Sequence, residues 1–224
     1  MMRQEQIFLD GEGDQYHDRN FRGNVETRNT EILRALWRRL PSLPTAVLEI
    51  GCGAGGNLEF LRRHTGAACY GLDPSAKAIE EGTRLFPELS LEVGTASRLP
   101  YEDGFFECVI FGFCLYLCDR GDLFTIAREA DRVLRNGGAL VIVDFNPSFP
   151  YRNPYKHLPG LYAYKMPYQN MFLWNPVYSL AEFVSTSHSK DMFDADPDER
   201  IAYAVLHKAD VDAGYPINPY GKEQ

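Results

Sequence analysis

Short apolar runs alternate with stretches of helical periodicity through the middle of the chain. Apolar runs at 46–50, 68–72, 89–93, 106–113 and 139–145 predict five buried strands. Helical periods at 56–65, from Ser75 onward and at 121–135 lie between them. Because almost wholly apolar strands connected by helices are typical of a parallel sheet covered on both faces, the pattern predicts a doubly wound α/β domain.

The pattern changes on both sides of this alternation. Before it, a Gly/Asp-rich turn is expected at 10–15, followed by a helix at about 30–40 that Pro41 ends. After it, residues 146–176 carry five tyrosines without a clear period. Two further strands are expected at 177–187 and 200–208 as an antiparallel hairpin, before a tail. The expected sheet is therefore seven-stranded and mostly parallel, with a C-terminal antiparallel hairpin.

Composition narrows the range of partners. The chain has 224 residues, which favours one domain with an appendage, and a net charge of −8 without any long Lys/Arg cluster. That charge argues against nucleic acid as a partner. The five cysteines lack the paired spacing of a zinc site, so we expect reduced thiols and no metal. Because no apolar run has signal-peptide or membrane-spanning length, we expect a cytoplasmic protein without a membrane partner.

A glycine-rich turn, EIGCGAGG at 49–56, connects the first strand to the first helix of the alternation. Such a turn admits the backbone of a nucleotide-like ligand closely. Gly51, Gly53 and Gly56 satisfy G-x-G-x-x-G, and Asp73 stands where an NAD-binding protein has its ribose-binding acid. Three features oppose NAD: the carboxylate of Glu49 beside the turn, the terminal hairpin, and the stretch at 99–107, which has no role in hydride transfer.

Four motifs in order resemble the class I S-adenosylmethionine-dependent methyltransferases, over residues 47–145. They are VLEIGCGAGGNL, YGLDPS, LPYEDGFFECVI and EADRVLRNGGALVIVDF. The resemblance implies a Rossmann-like fold, S-adenosylmethionine as cofactor and methyl transfer as activity. It also divides the chain into an N-terminal lid segment and helix (1–44), a cofactor-binding core (45–145) and an acceptor-binding segment with hairpin and tail (146–224).

The resemblance also implies roles for individual residues. The glycine turn and Glu49 would line the methionine end of the cofactor, and Asp73 would accept both ribose hydroxyls. This chain has Gly94, Thr95 and Ala96 where many members place an acid that binds the adenine amino group. Arg19, in a lid segment, would pair with the cofactor carboxylate. The expected cofactor-binding residues are Tyr16, Arg19, Glu49, Gly51, Cys52, Gly53, Gly55, Asp73, Pro74, Thr95, Ala96, Phe111, Gly112 and Phe113.

The aromatic-rich segment 146–176 is the expected acceptor site, since it follows the carboxyl end of the fifth strand. His157 is the first candidate for a general base and Tyr116 the second. A weaker resemblance of GEGDQYHDRN and NPYKHLPGLYAYK is to bacterial methyltransferases of sugar and surface-glycan biosynthesis, which implies a sugar-type acceptor. Alternatively, the aromatics form a satellite core and His157 lies on the surface.

Three functional classes remain open from the residues alone. The first is a methyltransferase acting on a small molecule or a sugar-type glycan precursor. The second is a module that binds S-adenosylmethionine without catalysis, and the third is an NAD-binding enzyme. Titration with S-adenosylmethionine, S-adenosylhomocysteine and NAD separates these classes.

Overall fold

The computed structural model describes residues 3–21, 43–190, 192–218 and 220. The strands that it contains are β1 (Ala46–Ile50), β2 (Ala68–Asp73), β3 (Ser90–Val93), β4 (Phe106–Gly112), β5 (Leu134–Phe145), β6 (Tyr151–Pro154), β7 (Tyr162–Lys165), β8 (Tyr178–Ser187) and β9 (Arg200–Lys208). The helices are α1 (Gln4–Ile7), α2 (Gly13–Asn20), α3 (Gly56–Thr65), α4 (Ala76–Leu85), α5 (Leu123–Val133), α6 (Asn170–Leu173) and α7 (Val211–Gly214).

Seven strands form one sheet in the order β3-β2-β1-β4-β5-β9-β8. The ladders from β3 to β5 are parallel, whereas β9 runs antiparallel to β5 and β8 antiparallel to β9. The predicted fold class is therefore confirmed. Because β1 lies between β2 and β4, the turns that follow these three strands meet at one edge of the sheet.

The helices cover the sheet on two faces, which bury separate apolar clusters. One cluster lies under α5 and includes Phe106 and Leu140. The other lies under α3 and α4 and includes Leu58 and Ile79. The Ser75 hydroxyl accepts a hydrogen bond from the Ala78 N–H at 3.1 Å and caps α4.

The boundary between α5 and β5 differs from the prediction. The helix ends at Val133, and Leu134 is already extended because it pairs with Phe106 of β4. Residues 136–138, which directly follow the helical period predicted at 121–135, lie within β5, where Gly137 has φ of +77°. Strand pairing, which depends on distant residues, thus ends the helix earlier than its own periodicity indicates.

The N-terminal segment also differs from the prediction. The turn expected at 10–15 is wrong: a π-helical turn over Phe8–Glu12 connects α1 to α2, with Gly11 at φ of +135°. The chain is helical here because the side chain of Phe8 packs with Tyr155 and Leu161, far away in sequence. The helix predicted at about 30–40 and Pro41 lie outside the described residues.

The segment 146–176 folds into a small hairpin of β6 and β7, followed by α6. Tyr168 and Phe172 are buried against the main core, and Tyr155 packs in a smaller cluster with Phe8. The ammonium group of Lys165 lies 3.8 Å from the ring centroid of Phe145. Tyr168 and Phe172 therefore extend the main core, and the satellite core that the sequence left open as an alternative is found for Tyr155.

Among the described residues, no helix is long and apolar enough to cross a membrane. In the same residues, no group of three His, Cys, Asp or Glu side chains is arranged to hold a metal ion. The cysteines are free thiols.

Gly82 of α4 is the point where this helix touches the glycine turn. A Cβ at Gly82 would lie 2.5 Å from the carbonyl oxygen of Ala54, whereas a Cβ at Gly121 would have no atom within 4 Å. We predict that Gly82→Ala lowers the free energy of unfolding by about 1–3 kcal/mol, since overpacking forces the backbones apart. Gly121→Ala, the matched control, changes it by less than about 0.5 kcal/mol. Urea unfolding measures both, and equal stabilities would contradict the prediction.

Candidate functional site

A cavity of about 520 Å³ opens at the sheet edge where β1, β2 and β4 end. The first two helices and the ends of β8 and β9 complete its wall. Most of the residues expected to bind the cofactor line it, namely Tyr16, Glu49, Gly51, Cys52, Gly53, Asp73, Pro74, Thr95, Ala96, Gly112 and Phe113. The structure thus brings together residues from five separate stretches of the sequence.

Three of the expected cofactor-binding residues do not line this cavity. A Cβ at Gly55 would lie 2.9 Å from a methyl of Leu89, so Gly55 permits helix packing. Phe111 is buried in the core. The guanidinium of Arg19 donates to Glu12 at 2.5 Å and to the Tyr155 hydroxyl at 3.0 Å, so its contacts are within the protein.

The two residues expected to act in catalysis lie outside the cavity lining as well. His157 is exposed, and its ring lies edge-on to Tyr155 at 5.4 Å. Tyr116 is buried, with its hydroxyl oxygen 3.2 Å from that of Tyr16, which does line the cavity. Burial raises the pKa of the Tyr116 hydroxyl. Their roles stay predictions.

Glu49 is a carboxylate buried at the floor of the cavity, on β1 between β2 and β4. One oxygen, Oε1, accepts a hydrogen bond from the Asn57 side chain at 2.7 Å. The other oxygen, Oε2, has no hydrogen-bond partner among the described residues. Burial raises the pKa of Glu49 to about 8, Asn57 opposes the shift and the Asp73 charge adds to it. A cationic ligand group would satisfy this oxygen and favour the ionised form.

The carboxylate of Glu49 occupies the space that a side chain at position 112 would fill, so a glycine is needed there. A Cβ at this position would lie 2.6 Å from Oε1 of Glu49. Any other residue at the end of β4 would therefore displace the carboxylate from the cavity floor.

Asp73 ends β2 and holds the glycine turn. Its two carboxylate oxygens accept hydrogen bonds from the backbone N–H groups of Gly53 and Ser75, both at 2.9 Å. Burial raises the pKa of Asp73, and the two N–H donors oppose that shift. Since a carboxylate has about four acceptor positions, two remain for hydroxyl donors of a ligand.

The glycine turn presents its backbone to the cavity. The N–H of Gly51 donates to the carbonyl of Leu72 at 2.8 Å, which fixes the turn against β2. Gly53 has φ of +54°, and a Cβ built there would meet no protein atom within 4 Å. The open side of Gly53 is therefore where a ligand can approach the backbone.

The sequence placed a lid with Tyr16 in the N-terminal segment but assigned no role to the other residues of that wall or to the wall near β8. The N-terminal helices also contribute Phe8, Gly13 and His17, and the end of β8 with the chain after it contributes 186–190. The ring of His188 stacks on Phe113 at 5.4 Å. Phe113 is the one residue other than glycine with positive φ (+59°) among the described residues. No local pattern marks these positions, because distant segments bring them to the cavity.

Carboxylates at helix ends hold the N-terminal helices over the cavity. Asp119 accepts from the backbone N–H groups of Gln4 at 3.1 Å and Glu5 at 2.9 Å, at the start of α1. Asp14 of α2 accepts from the Lys77 N–H at 3.0 Å and the Ser75 hydroxyl at 2.8 Å, at the start of α4. A negative charge at a helix N-terminus is favourable, so both contacts stabilise the closed arrangement.

Residues 47–138 match a protein family described as "Methyltransferase domain". The chain is 33% identical over 116 residues to norajmaline N-methyltransferase of Rauvolfia serpentina, covering 49% of this chain and 38% of that protein. It is 35% identical over 135 residues to demethylmenaquinone methyltransferase of Beutenbergia cavernae, covering 57% of this chain and 53% of that protein. The chain therefore spans between about a third and half the length of these curated relatives.

A solved structure shows the same fold. It is 1,6-didemethyltoxoflavin-N1-methyltransferase of Burkholderia thailandensis, with bound 1,6-didemethyltoxoflavin and S-adenosylhomocysteine. The TM-score is 0.69 at 15% identity, over 92% of this chain and 88% of that one. The resemblance expected from the four motifs is thus confirmed.

The buried carboxyl of Glu49 predicts a pH-dependent stability. Its pKa is about 8 in the folded protein against 4.5 as the ordinary value, so the folded state keeps a proton that the unfolded chain releases. Stability from this group is complete below pH 4.5 and is lost as the pH rises to about 8. We predict that Glu49→Gln is stabilised relative to the parent by up to about 1.4 kcal/mol per pH unit across this window. Urea unfolding at several pH values, without ligand, measures the difference.

Glu59 offers a control of opposite sign. Hydrogen bonds from Arg62 lower the pKa of the Glu59 carboxyl. Stability from this ion pair is present above the unfolded pKa and is lost on acidification, so Glu59→Gln should lose stability at neutral pH and approach the parent in acid. A pH-independent difference for Glu49→Gln would mean that this carboxyl does not titrate in the window.

Proposed function

We propose that this chain transfers a methyl group from S-adenosylmethionine to a small-molecule acceptor, because residues 47–138 form a class I S-adenosylmethionine-dependent methyltransferase domain. The observation that carries the proposal is the pair of carboxylates, Glu49 and Asp73, on either side of the glycine turn. Glu49 has an oxygen that a cationic group would satisfy, and Asp73 has acceptor positions left for hydroxyls.

The residues of the cavity fit the amino-acid part and the ribose of S-adenosylmethionine. The unpartnered Oε2 of Glu49 suits the ammonium group of its amino-acid part. Asp73 suits the ribose hydroxyls, and the open side of Gly53 admits the ligand to the backbone. When bound, S-adenosylmethionine supplies an electrophilic methyl group on a sulfonium centre. The protein then contributes position, exclusion of water and, for some acceptors, a base.

The two other classes are less well supported. An NAD-binding enzyme would place a pyrophosphate at the glycine turn, close to the buried Glu49, and a pyrophosphate has no cationic group to pair with this carboxyl. A module without catalysis would need the cofactor end alone. The cavity, however, continues past Gly112 to Phe113 and His188, which leaves room for a second ligand.

We place the acceptor at this further end of the cavity. Phe113, held at positive φ, and the ring of His188 stacked on it offer flat surfaces for a planar or ring-shaped molecule. The relatives named above are described as acting on an alkaloid and on a quinone precursor, and the solved structure holds a toxoflavin precursor. A small-molecule acceptor agrees with that range. The sugar-type acceptor, the absence of nucleic-acid and membrane partners, and the cytoplasmic location stay predictions.

Calorimetric titration tests the cofactor. We expect S-adenosylmethionine and S-adenosylhomocysteine to bind and NAD not to bind. Release of S-adenosylhomocysteine is then screened over phenols, amines and nucleotide sugars. Tight binding of NAD without response to the sulfonium compound would overturn the proposal, and binding without turnover on every acceptor would favour the non-catalytic module.

Gly53 and Gly66 form a matched pair for the glycine turn. Both have positive φ, at +54° and +72°, and a Cβ at either would meet no atom within 4 Å, but only Gly53 lines the cavity. We predict that Gly53→Val and Gly66→Val lose similar stability, because valine is strained at positive φ. Only Gly53→Val should lose affinity for S-adenosylhomocysteine, by at least about tenfold, or ~1.4 kcal/mol. Normal binding by Gly53→Val would mean that the turn only connects two elements.

Substitution of three histidines, one at a time, tests where a general base acts. With an acceptor found in the screen, we predict that His188→Gln lowers kcat by about 100-fold or more if the transfer needs a base, since general-base catalysis has that size. His64→Gln, on the exposed end of α3, serves as control. His157→Gln is the competing variant, because the sequence predicts His157 as the base. A loss confined to His157→Gln would move the acceptor site to segment 146–176.

A further inference from the structure

The wall of the cavity opposite the glycine turn is formed by α2. This helix packs tightly on the turn between β2 and α4: a Cβ at Gly13 would lie 3.2 Å from the backbone nitrogen of Ser75 and 3.3 Å from the carbonyl carbon of Pro74. His17 follows Gly13 by four positions and therefore lies on the same face of the helix. The imidazole is thus directed to the region just after Asp73, and it lines the cavity.

One ring nitrogen of His17 is engaged and the other is not. Nε2 lies 2.7 Å from a carboxylate oxygen of Glu81 on α4. Nδ1 is buried and has no hydrogen-bond partner among the described residues. The side chain is only 6% exposed, and its ring stacks on Phe21 at 6.2 Å between centroids. Buried polar atoms are rarely left without a partner, so this nitrogen points to a ligand.

The chemistry of Glu81 determines what kind of ligand atom fits. An ionised carboxylate only accepts hydrogen bonds, so Nε2 carries the proton that is shared with Glu81. With that one proton on Nε2, the other nitrogen, Nδ1, offers a lone pair and is an acceptor. An acceptor at this place takes an O–H or N–H donor. Asp73, within electrostatic reach of His17, is an acceptor as well.

We infer that Nδ1 of His17 accepts a hydrogen bond from one ribose hydroxyl of the cofactor, beside the hydroxyl that Asp73 accepts, and that Glu81 is the positioning residue for His17. The inference rests on the proposed function, because it needs a nucleoside at Asp73. The two hydroxyls of a vicinal diol are donors that lie close together. Asp73 at the end of β2 then accepts from one hydroxyl, and His17 on α2 accepts from the other. His17 can therefore contact the ribose only while α2 is packed over the cavity.

A cycle of protein and ligand changes tests this inference. His17→Phe keeps an aromatic ring against Phe21 and removes both nitrogens. Affinities of the parent and of His17→Phe are measured by calorimetry for S-adenosylhomocysteine and for its 2′-deoxy and 3′-deoxy analogues. We expect His17→Phe to bind S-adenosylhomocysteine about 3- to 10-fold more weakly, as for one hydrogen bond. For one of the two deoxy analogues the substitution should make no difference, because that analogue lacks the hydroxyl that His17 accepts.

Two further variants separate ligand contact from packing. His64→Phe makes the same chemical change outside the cavity and should leave all affinities as in the parent. Glu81→Gln keeps an acceptor for Nε2 but not its charge, so its loss should be smaller than that of His17→Phe and should vanish for the same analogue.

Each outcome decides the matter. Equal losses for all three ligands would show that His17 only docks α2, and unchanged affinity would show that it has no part in binding; either result overturns the inference while the proposed function stands. A parent protein that binds none of the three ligands overturns both.

Discussion

A carboxylate placed inside the sheet is the constraint on which the site depends. Glu49 stands on the central strand β1, where neighbouring strands exclude water, and Asn57 is its one hydrogen-bond donor among the described residues. Burial of a charge is costly unless it is paired, so without a ligand the raised pKa keeps a proton on this group. Gly112 must lack a side chain for the carboxylate to fit, and the cavity must remain open for a cation to reach it. The position of Glu49 in the fold therefore determines that a ligand group placed beside it is favoured when it is cationic.

The rest of the site is arranged around that carboxylate through hydrogen bonds between elements that are distant in sequence. Asp73 connects β2 to the glycine turn through the N–H of Gly53. Asp14 and Asp119 fix the two N-terminal helices by accepting from backbone N–H groups at helix starts. Because each of these contacts uses a backbone donor that would otherwise lack a partner, closing the cavity and completing the helix ends occur together.

Local patterns predicted the sheet because its strands are buried on both faces and so show as apolar runs. The glycine turn and Asp73 were found for the same reason: the chemistry of the site lies directly after those runs. The helices at 4–20 could not be predicted, since Phe8 and Gln4 are ordered by contacts with residues more than a hundred positions away. His17 and His188 reach the cavity only through such packing, and Gly55, a motif residue, leaves room for the side chains of Leu89 and Leu91.

The two ends of the cavity differ in which part of the chain builds them. One end is built from residues within the methyltransferase-domain match, and the other also uses residues outside that match. Glu49, Gly53 and Asp73 belong to residues 47–138, which match the methyltransferase domain. Segment 186–190, with His188 stacked on Phe113, lies after that match, as α1 and α2 lie before it. Relatives with different named substrates align with less than two thirds of this chain. The matched part thus contains the glycine turn and both carboxylates, whereas the flanking segments complete the wall of the cavity, His188 by stacking on Phe113.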